Sequence, residues 1–414
     1  MRIGLFTDTY FPQVSGVATS IKTLKIELEK LGHEVIVFTT TDPQAKDEDP
    51  TIVRLPSIPF ISFKERRIMI SGMADAYEWV KHHHLDIIHT HTEFGVGWLG
   101  KYIGKKLNIP VVHTYHTMYE EYLHYIAKGK LIKPSHVKQA TLAFSRGLSG
   151  IVCPSQRVVK KMKEYGVRAP LRVIPTGIEV SKFYTREAQL PETNIREQLK
   201  ITEDDILLLS LSRISYEKNI QGIIKGLPKI LEEMPGVTLM IVGNGPYKAA
   251  LEELVAGLSL THAVKFIGEV PNDQVRNFYQ TADFFVSASS SESQGLTFIE
   301  ALATGTKVIA KENDYLKQLL SSDELGRTFR EDQDFPEALI HFCSEQLPLR
   351  QETYEAKIIE ISSERFAENV LNFYDIAKKY HQLMVEIKAS ISLPHQLKIM
   401  APKSFFLKRP KDEK

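Results

Sequence analysis

The chain has 414 residues, 43 % of them hydrophobic and 25 % charged, the balance of an ordinary soluble globular protein long enough for two or three cores. Its formal net charge of +1 excludes a globally basic nucleic-acid binder, and two cysteines far apart, Cys153 and Cys343, exclude a disulfide framework and point to a reducing cytoplasm. Neither a leader before the first strand nor an apolar run near the roughly 18 residues of a spanning helix is visible, so any membrane role is expected to be peripheral, on the inner face of the cell membrane.

Strand and helix patterns alternate from the start. Ile3 to Phe6 reads as a buried strand, Ala18 to Leu31 as a helix with Ile21, Leu24, Leu28 and Leu31 on one face, and Glu34 to Phe38 as a second strand. Apolar strands follow at Ile52-Val53, Ile87-Ile88, Val111-Val112 and Ile151-Val152, an order that predicts a parallel sheet covered on both faces. The loop after the first strand, Asp8-Thr-Tyr-Phe-Pro-Gln-Val-Ser15-Gly16, lies at the carboxyl edge, where such sheets bind ligands. Gly16, just before a helix, suits close backbone approach to a phosphate or a sugar. Histidines close two further strands, His89 and His91 in one, His113 and His116 in the other. No carboxylate or cysteine completes a metal set at recognisable spacing, and they are read as polar lining of a cleft.

Two stretches of this half mix aromatic and basic residues. One carries Phe60, Phe63, Lys64, Arg66, Arg67 and Ile68; the other sets Tyr122, Tyr125 and Ile126 beside Lys128, Lys130, Lys133 and Lys138. They fit either an interface with anionic lipid or a core edge beside a solvated charged face.

The first domain is expected to close near Val173-Ile-Pro-Thr-Gly177, with the polar stretch 184–202, containing Pro191, as a linker. A second series begins with the strand Ile206 to Leu211, which leads through Ser212-Arg213-Ile-Ser-Tyr-Glu-Lys218-Asn into the helix Ile220 to Leu231. A guanidinium and an ammonium beyond a strand end can neutralise a diphosphate without a metal ion; the alternative is two surface cations. The strand Leu239 to Val242 runs into Gly243-Asn-Gly245-Pro, a dinucleotide-like turn that lacks the third glycine. Phe266-Ile-Gly268-Glu-Val270 and the strand Phe284 to Val286 follow, and after Phe335 the chain reads as helical.

Beyond Val286 stands Ser287-Ala-Ser-Ser-Ser-Glu292-Ser-Gln-Gly295, then a helix with Leu296, Ile299, Leu302 and Ala303 on one face. Gly295 admits a ligand close to the backbone, and the free amides near Leu296 and Thr297 form a phosphate site. Glu292 and Glu300 suit a ligand with several hydroxyls, since an ionised carboxylate accepts hydrogen bonds from them. A solvated serine loop with one Glu favoured by the helix dipole is the other reading.

The pair Glu292 and Glu300, closing on Ala-Leu-Ala-Thr-Gly305-Thr306, resembles the signature of the retaining glycosyltransferases of family 4. The resemblance implies the GT-B fold: α/β, two doubly wound Rossmann-like domains around an interdomain cleft, with a C-terminal helix crossing back to the first domain. It places Glu292 and His116 at the transferred sugar, Glu300 on the ribose, Arg213 and Lys218 on the phosphates, and Gly243 and the Val270 backbone beside the nucleotide. Gly16 matches one glycine of the family's Gly-Gly loop, with Ser15 replacing the other. The Ile-Pro-Thr-Gly177 element resembles the interdomain Pro-Asn-Gly turn, and Lys307 stands where Pro is more usual. The implied division is a first domain at 1–183, a linker at 184–202, a nucleotide-sugar domain at 203–362, a returning helix at 363–381 and a basic-aromatic tail at 382–414, which either docks on lipid or is disordered.

A nucleotide-sugar substrate is implied, with no tightly bound cofactor and no essential metal ion. Within the family, Thr7-Asp-Thr-Tyr-Phe-Pro-Gln-Val-Ser-Gly, His-Thr-Tyr-His-Thr and Leu-Ser-Arg-Ile-Ser-Tyr-Glu-Lys-Asn are most similar to the diacylglycerol glucosyltransferases of Gram-positive bacteria. That likeness implies UDP-glucose as donor and the 3-hydroxyl of diacylglycerol as acceptor, for membrane glycolipid and lipoteichoic acid anchors. A phosphatidylinositol or soluble sugar acceptor is the alternative, and a catalytically silent binding protein the second.

Overall fold

A computed structural model describes residues 1–13, 15–46, 49–60, 63–120, 133–184, 195–289 and 294–392, without the side chains of 63–66 and 392. Glu292, Lys128, Lys130, the stretch 185–194 of the expected linker and the tail from 393 onward lie outside the described residues, as do the side chains of Phe63, Lys64 and Arg66.

In chain order the first half comprises β1 (Arg2–Phe6), α1 (Gly16–Lys30), β2 (Glu34–Thr40), β3 (Ile52–Leu55), β4 (Ser57–Phe60), β5 (Phe63–Met69), α2 (Met73–His83), β6 (Ile87–Thr90), α3 (Gly95–Leu107), β7 (Val111–Thr114), α4 (Pro134–Ser145), β8 (Gly150–Cys153), α5 (Gln156–Tyr165) and β9 (Leu171–Val173). The second half comprises α6 (Ile195–Leu199), β10 (Ile206–Leu211), α7 (Ile220–Glu233), β11 (Val237–Val242), α8 (Lys248–Gly257), β12 (Val264–Gly268), α9 (Val275–Thr281), β13 (Phe284–Ser287), α10 (Leu296–Ala303), β14 (Lys307–Lys311), α11 (Asp314–Leu319), β15 (Gly326–Phe329), α12 (Phe335–Glu345), α13 (Gln351–Ile361) and α14 (Ser363–Ser392).

Seven strands form the first sheet, in the order β3-β2-β1-β6-β7-β8-β9, and six the second, in the order β12-β11-β10-β13-β14-β15. Every pairing within them is parallel, for example Ile3 beside both Val35 and Ile87, so both faces of each sheet must be covered by crossover helices. The strands accordingly read as near-continuous apolar runs, such as the fully buried Leu207, Leu208 and Leu209 of β10. Strand order reverses between β1 and β6 in the first sheet and between β10 and β13 in the second. At such a reversal the flanking loops diverge and leave a crevice at the carboxyl edge.

The chain returns to its first domain through α14. Phe366, Val370, Phe373, Tyr374 and Ala377 recur on one face of that helix and complete the core formed by Ile3, Leu5, Leu24, Val112 and Val152. The Tyr374 hydroxyl hydrogen-bonds Nδ1 of His89 at 2.8 Å, and Ser363 donates to Glu27 of α1 at 3.0 Å. The expected returning helix at 363–381 is longer than its apolar face suggests: it continues to Ser392, so residues 382–392, read as tail, are helical. β9, β14 and β15 and the β4–β5 hairpin are not legible in the sequence, because strands of three to seven residues with Arg and Lys among them, such as Gly326-Arg-Thr-Phe329, lack the apolar run of a central strand.

Phe373 lies directly over Gly150, where a Cβ would come within 2.6 Å of its ring. Phe373→Ala should lower unfolding stability by about 3–5 kcal/mol in a urea titration, the usual range for an aromatic removed from a core. A change below about 1 kcal/mol would show that α14 contributes little to the first domain's packing.

Candidate functional site

In the second domain, the loops after β10 and β13 flank the reversal of strand order. Arg213 is exposed just past β10, and Lys218 ends the 3-10 turn Tyr216–Lys218 that precedes α7. Asn219, left-handed at φ 50°, holds this loop against its neighbour by donating to the Ala288 carbonyl at 3.2 Å and to Asp332 at 2.8 Å. The loop that carries the two cations is therefore tied to Ala288, on the chain that runs on to Gly295. That residue is the N-cap of α10 at φ 80°, a conformation suited to glycine, and among the described residues no side chain caps the helix. The first amides of Leu296 and Thr297 are thus presented to a ligand at the positive end of α10.

The glycines after β11 serve that loop. A Cβ on Gly243 would meet the Ser212 carbonyl oxygen at 2.0 Å, and one on Gly245 the Ile214 oxygen at 2.2 Å. Their requirement for glycine thus comes from backbone packed behind Arg213. The Gly243 amide donates to Gly268 at 2.7 Å and joins this turn to the β12 edge, where Val270 is half-buried.

Glu300 lies on α10 and accepts from the Tyr279 hydroxyl at 2.8 Å through Oε2. Burial raises its carboxyl above the usual range, and the Tyr279 bond pulls it partly back. Among the described residues nothing donates to Oε1 in the hydrogen bonds observed, so a vicinal diol can bind to a carboxylate already oriented by a tyrosine.

In the first domain the reversal between β1 and β6 is bridged by Asp8. Its carboxylate accepts from Thr92 at 2.6 Å and from the amides of Val96 and Gly97 at the start of α3. Burial nevertheless pushes its pKa up. Gly16 is the first residue of α1, exposed, with nothing within 4 Å of where a Cβ would sit; Ser15 caps the helix by accepting from Ala18.

The strand-end histidines divide into distinct networks. His89 is fully buried and engages Tyr374 and Thr114, so it anchors α14 and does not line the cleft as expected from sequence. His113, also buried, joins Thr90 to Glu93, whose other oxygen accepts from Tyr119 at 2.6 Å. His116 is half-buried, and its Nε2 lies 3.0 Å from Nδ1 of buried His91. The surrounding protein holds His116 down at about 3, so it is neutral at physiological pH. No group of three His, Cys, Asp or Glu side chains among the described residues is placed to hold a metal ion.

The two crevices are joined by Gln294. Its amide accepts from the Thr176 N–H at 2.8 Å and donates to the Thr176 carbonyl at 2.7 Å, reproducing a backbone pair. The Thr176 hydroxyl lies 2.9 Å from that of Ser20, one turn into α1 from Gly16. Lys160 of α5 pairs with Asp314 of α11 on the same side. The carboxyl edges of the two sheets therefore share one gap, with Gly295 and Gly16 at either end of a hydrogen-bonded chain. Sequence reasoning missed Gln294 and Tyr279, and it did not foresee that His91 pairs with His116. Gln294 stood within the loop it singled out, but its partner is 118 residues away.

Of the basic-aromatic residues, Arg67 directs its guanidinium to the oxygen atoms of Ser57 across the hairpin, and Lys133 is exposed before α4. Phe60 is 38 % exposed.

Residues 14–182 match the family model described as Glycosyltransferase Family 4, and residues 191–359 that described as Glycosyl transferases group 1. The chain is 47 % identical over 378 residues to the alpha-monoglucosyldiacylglycerol synthase of Streptococcus pneumoniae, an alignment covering 90 % of this chain and 85 % of that protein. It is 32 % identical over 379 residues to the enzyme of the same name from Acholeplasma laidlawii, covering 89 % and 94 %. Among solved structures, a glycosyltransferase from Rickettsia africae aligns with a TM-score of 0.71 at 19 % identity, over 91 % of this chain and 98 % of its own. The Anabaena protein HepE, crystallised with UDP and glucose, aligns at 0.69 and 16 % identity, over 90 % and 99 %. At these identities the solved structures establish a common fold.

A raised pKa at Glu300 puts loss of its charge at higher pH than for an ordinary glutamate, and the protonated form accepts hydrogen bonds more weakly. UDP affinity measured by calorimetry from about pH 5 to 8 should therefore fall on the acid side. Tyr279→Phe removes the bond that lowers this pKa and should move the acid limb upward, whereas Glu300→Gln should flatten it. An unmoved limb in Tyr279→Phe would separate Glu300 from the nucleotide.

Proposed function

The chain belongs to glycosyltransferase family 4, and on that premise we propose that it transfers glucose from UDP-glucose to the 3-hydroxyl of 1,2-diacylglycerol with retention, yielding α-monoglucosyldiacylglycerol. The observation that carries this reading is the shared gap, with paired cations and helix amides on one wall and neutral imidazole on the other, in a chain 47 % identical to a protein named for that product.

In this reading Arg213, Lys218 and the amides of Leu296 and Thr297 hold the diphosphate. They are aimed at the charge that grows on it as its bond to C1 of glucose breaks. Glu300 holds the ribose, Gly243 and Val270 flank the base, and Glu292 and His116 orient the glucose. The glycerol hydroxyl attacks C1 on the face that UDP leaves, and its proton passes to the departing phosphate oxygen, so the α configuration is kept. Positive side chains and dipoles carry the developing charge without a metal ion. Closure of the two domains over the donor excludes water, which would otherwise take the glucose.

An acceptor with two acyl chains is reached from a membrane surface, and the first domain offers an apolar face for it. Among the described residues no helix is long and apolar enough to cross a membrane. Ile58, Ile68 and Ile70 of the hairpin region are 50 %, 44 % and 59 % exposed, and Phe94, Trp98 and Tyr102 follow at helical spacing along α3. Exposed Lys105 and Lys106 border that stripe, with the Lys106 ammonium 5.8 Å from the Tyr102 ring centre. Apolar side chains inside a cationic rim suit the headgroup region of an anionic leaflet.

Incubated with labelled UDP-glucose and diacylglycerol in anionic vesicles, the protein should form α-glucosyldiacylglycerol at a rate that EDTA changes by less than about two-fold. Arg213→Ala should lower kcat/KM by about 10²–10³, and Glu292→Ala should also abolish most turnover. Preference for phosphatidylinositol or a soluble sugar would overturn the acceptor, and dependence on added metal would overturn the charge assignment. Ile70→Ser combined with Trp98→Ser should reduce pelleting with anionic vesicles several-fold while leaving UDP affinity unchanged. Undiminished pelleting would move the lipid-facing surface elsewhere.

A further inference from the structure

We propose that His91 is a positioning residue that sets the tautomer of His116: its Nδ1–H donates to Nε2 of His116, so that the hydrogen His116 carries is on Nδ1. The inference rests on the reading of His116 as a residue at the donor glucose.

The geometry supplies the first step. Nδ1 of His91 and Nε2 of His116 are 3.0 Å apart, and the two rings lie nearly parallel, with an interplanar angle of 27°. The titratable groups acting on the pair are His89 and His113, both imidazoles; His89 is held below its usual pKa by burial, as His91 and His116 are. Two neutral imidazoles in one hydrogen bond leave room for one proton between them, so one ring donates and the other accepts.

Which ring donates follows from the far side of His91. It is 2 % exposed, and its Nε2 has no partner among the described residues. Were the His91 hydrogen on Nε2, a buried N–H would be left unsatisfied; with it on Nδ1, only a lone pair is. Orphaned buried donors are the rarer and more costly of the two, so Nδ1 of His91 is the donor. His89 cannot relieve Nε2, since its nitrogens are engaged by Tyr374 and Thr114 while its ring centre lies 4.1 Å from that of His91, tilted by 31°. His116 then accepts through Nε2 and carries its own hydrogen on Nδ1, a nitrogen that in this form can donate and cannot act as a base.

The test uses the full-length protein labelled with ¹⁵N-histidine. Long-range ¹H–¹⁵N correlation should show His116, identified by its loss in His116→Gln, as the Nδ1–H tautomer, and His91→Leu should release it to Nε2–H or a mixture. In the vesicle assay His91→Leu should lower kcat about 10²-fold with KM for UDP-glucose within about two-fold. His91→Asn, whose amide N–H stands where Nδ1–H was, should recover most of kcat. An Nε2–H tautomer in the wild type overturns the inference even if His91→Leu does not fold, and so does equal kcat in the Leu and Asn variants. Unchanged kcat in His116→Gln would instead remove His116 from the sugar, while the wild-type spectrum still decides the tautomer.

Discussion

The structure depends on one amide meeting one peptide. Gln294 satisfies both the N–H and the carbonyl of Thr176, in a place where Gln294 is 5 % and Thr176 6 % exposed. Neither group has water to fall back on, and an unpaired buried amide group costs about 1–3 kcal/mol. The bond pair therefore fixes the residue just before Gly295 against the interdomain turn. Through Thr176 and Ser20 it also fixes α1 relative to both.

From that constraint the division of labour between the walls follows. The second domain contributes fixed charge: Arg213, Lys218 and the uncapped amides of α10. The first contributes groups kept neutral by burial, the His91–His116 pair, beside an acid, Asp8, that is occupied with the start of α3. In the proposed reading the doubly negative diphosphate goes to the charged wall of the second domain, and the hydroxyl-rich sugar meets the uncharged hydrogen-bonding groups of the first.

α14 carries the chain from the second domain back into the core of the first. Its residues Phe366, Val370, Phe373 and Tyr374 are core of the first domain although they follow the whole of the second in sequence. The first domain's core is thus incomplete until the chain has been made past Ala377, and the buried His89–Tyr374 bond spans 285 residues. The outer face of that domain, with Trp98 and Ile70, takes no part in this packing and stays exposed.

The alternation of strands and helices, the cations after β10, the glycine before α10 and the Glu300 position were all legible in the sequence, because each is a local pattern: a period, a loop residue, a spacing. The family likeness rested on those same local runs. What the sequence could not determine was partnership. Gln294 was one polar residue in a serine loop until Thr176 was found opposite it, and Tyr279 was one aromatic in a helix until its hydroxyl met Glu300. Four strand-end histidines looked alike, and only tertiary packing made His89 a prop for α14, His113 a link to Glu93, and His91 the neighbour of His116. The physical reason is that hydrogen bonds and burial act between atoms a few ångströms apart in space, whatever their separation along the chain. Sequence pattern therefore specifies what a residue can do, and the fold decides with whom.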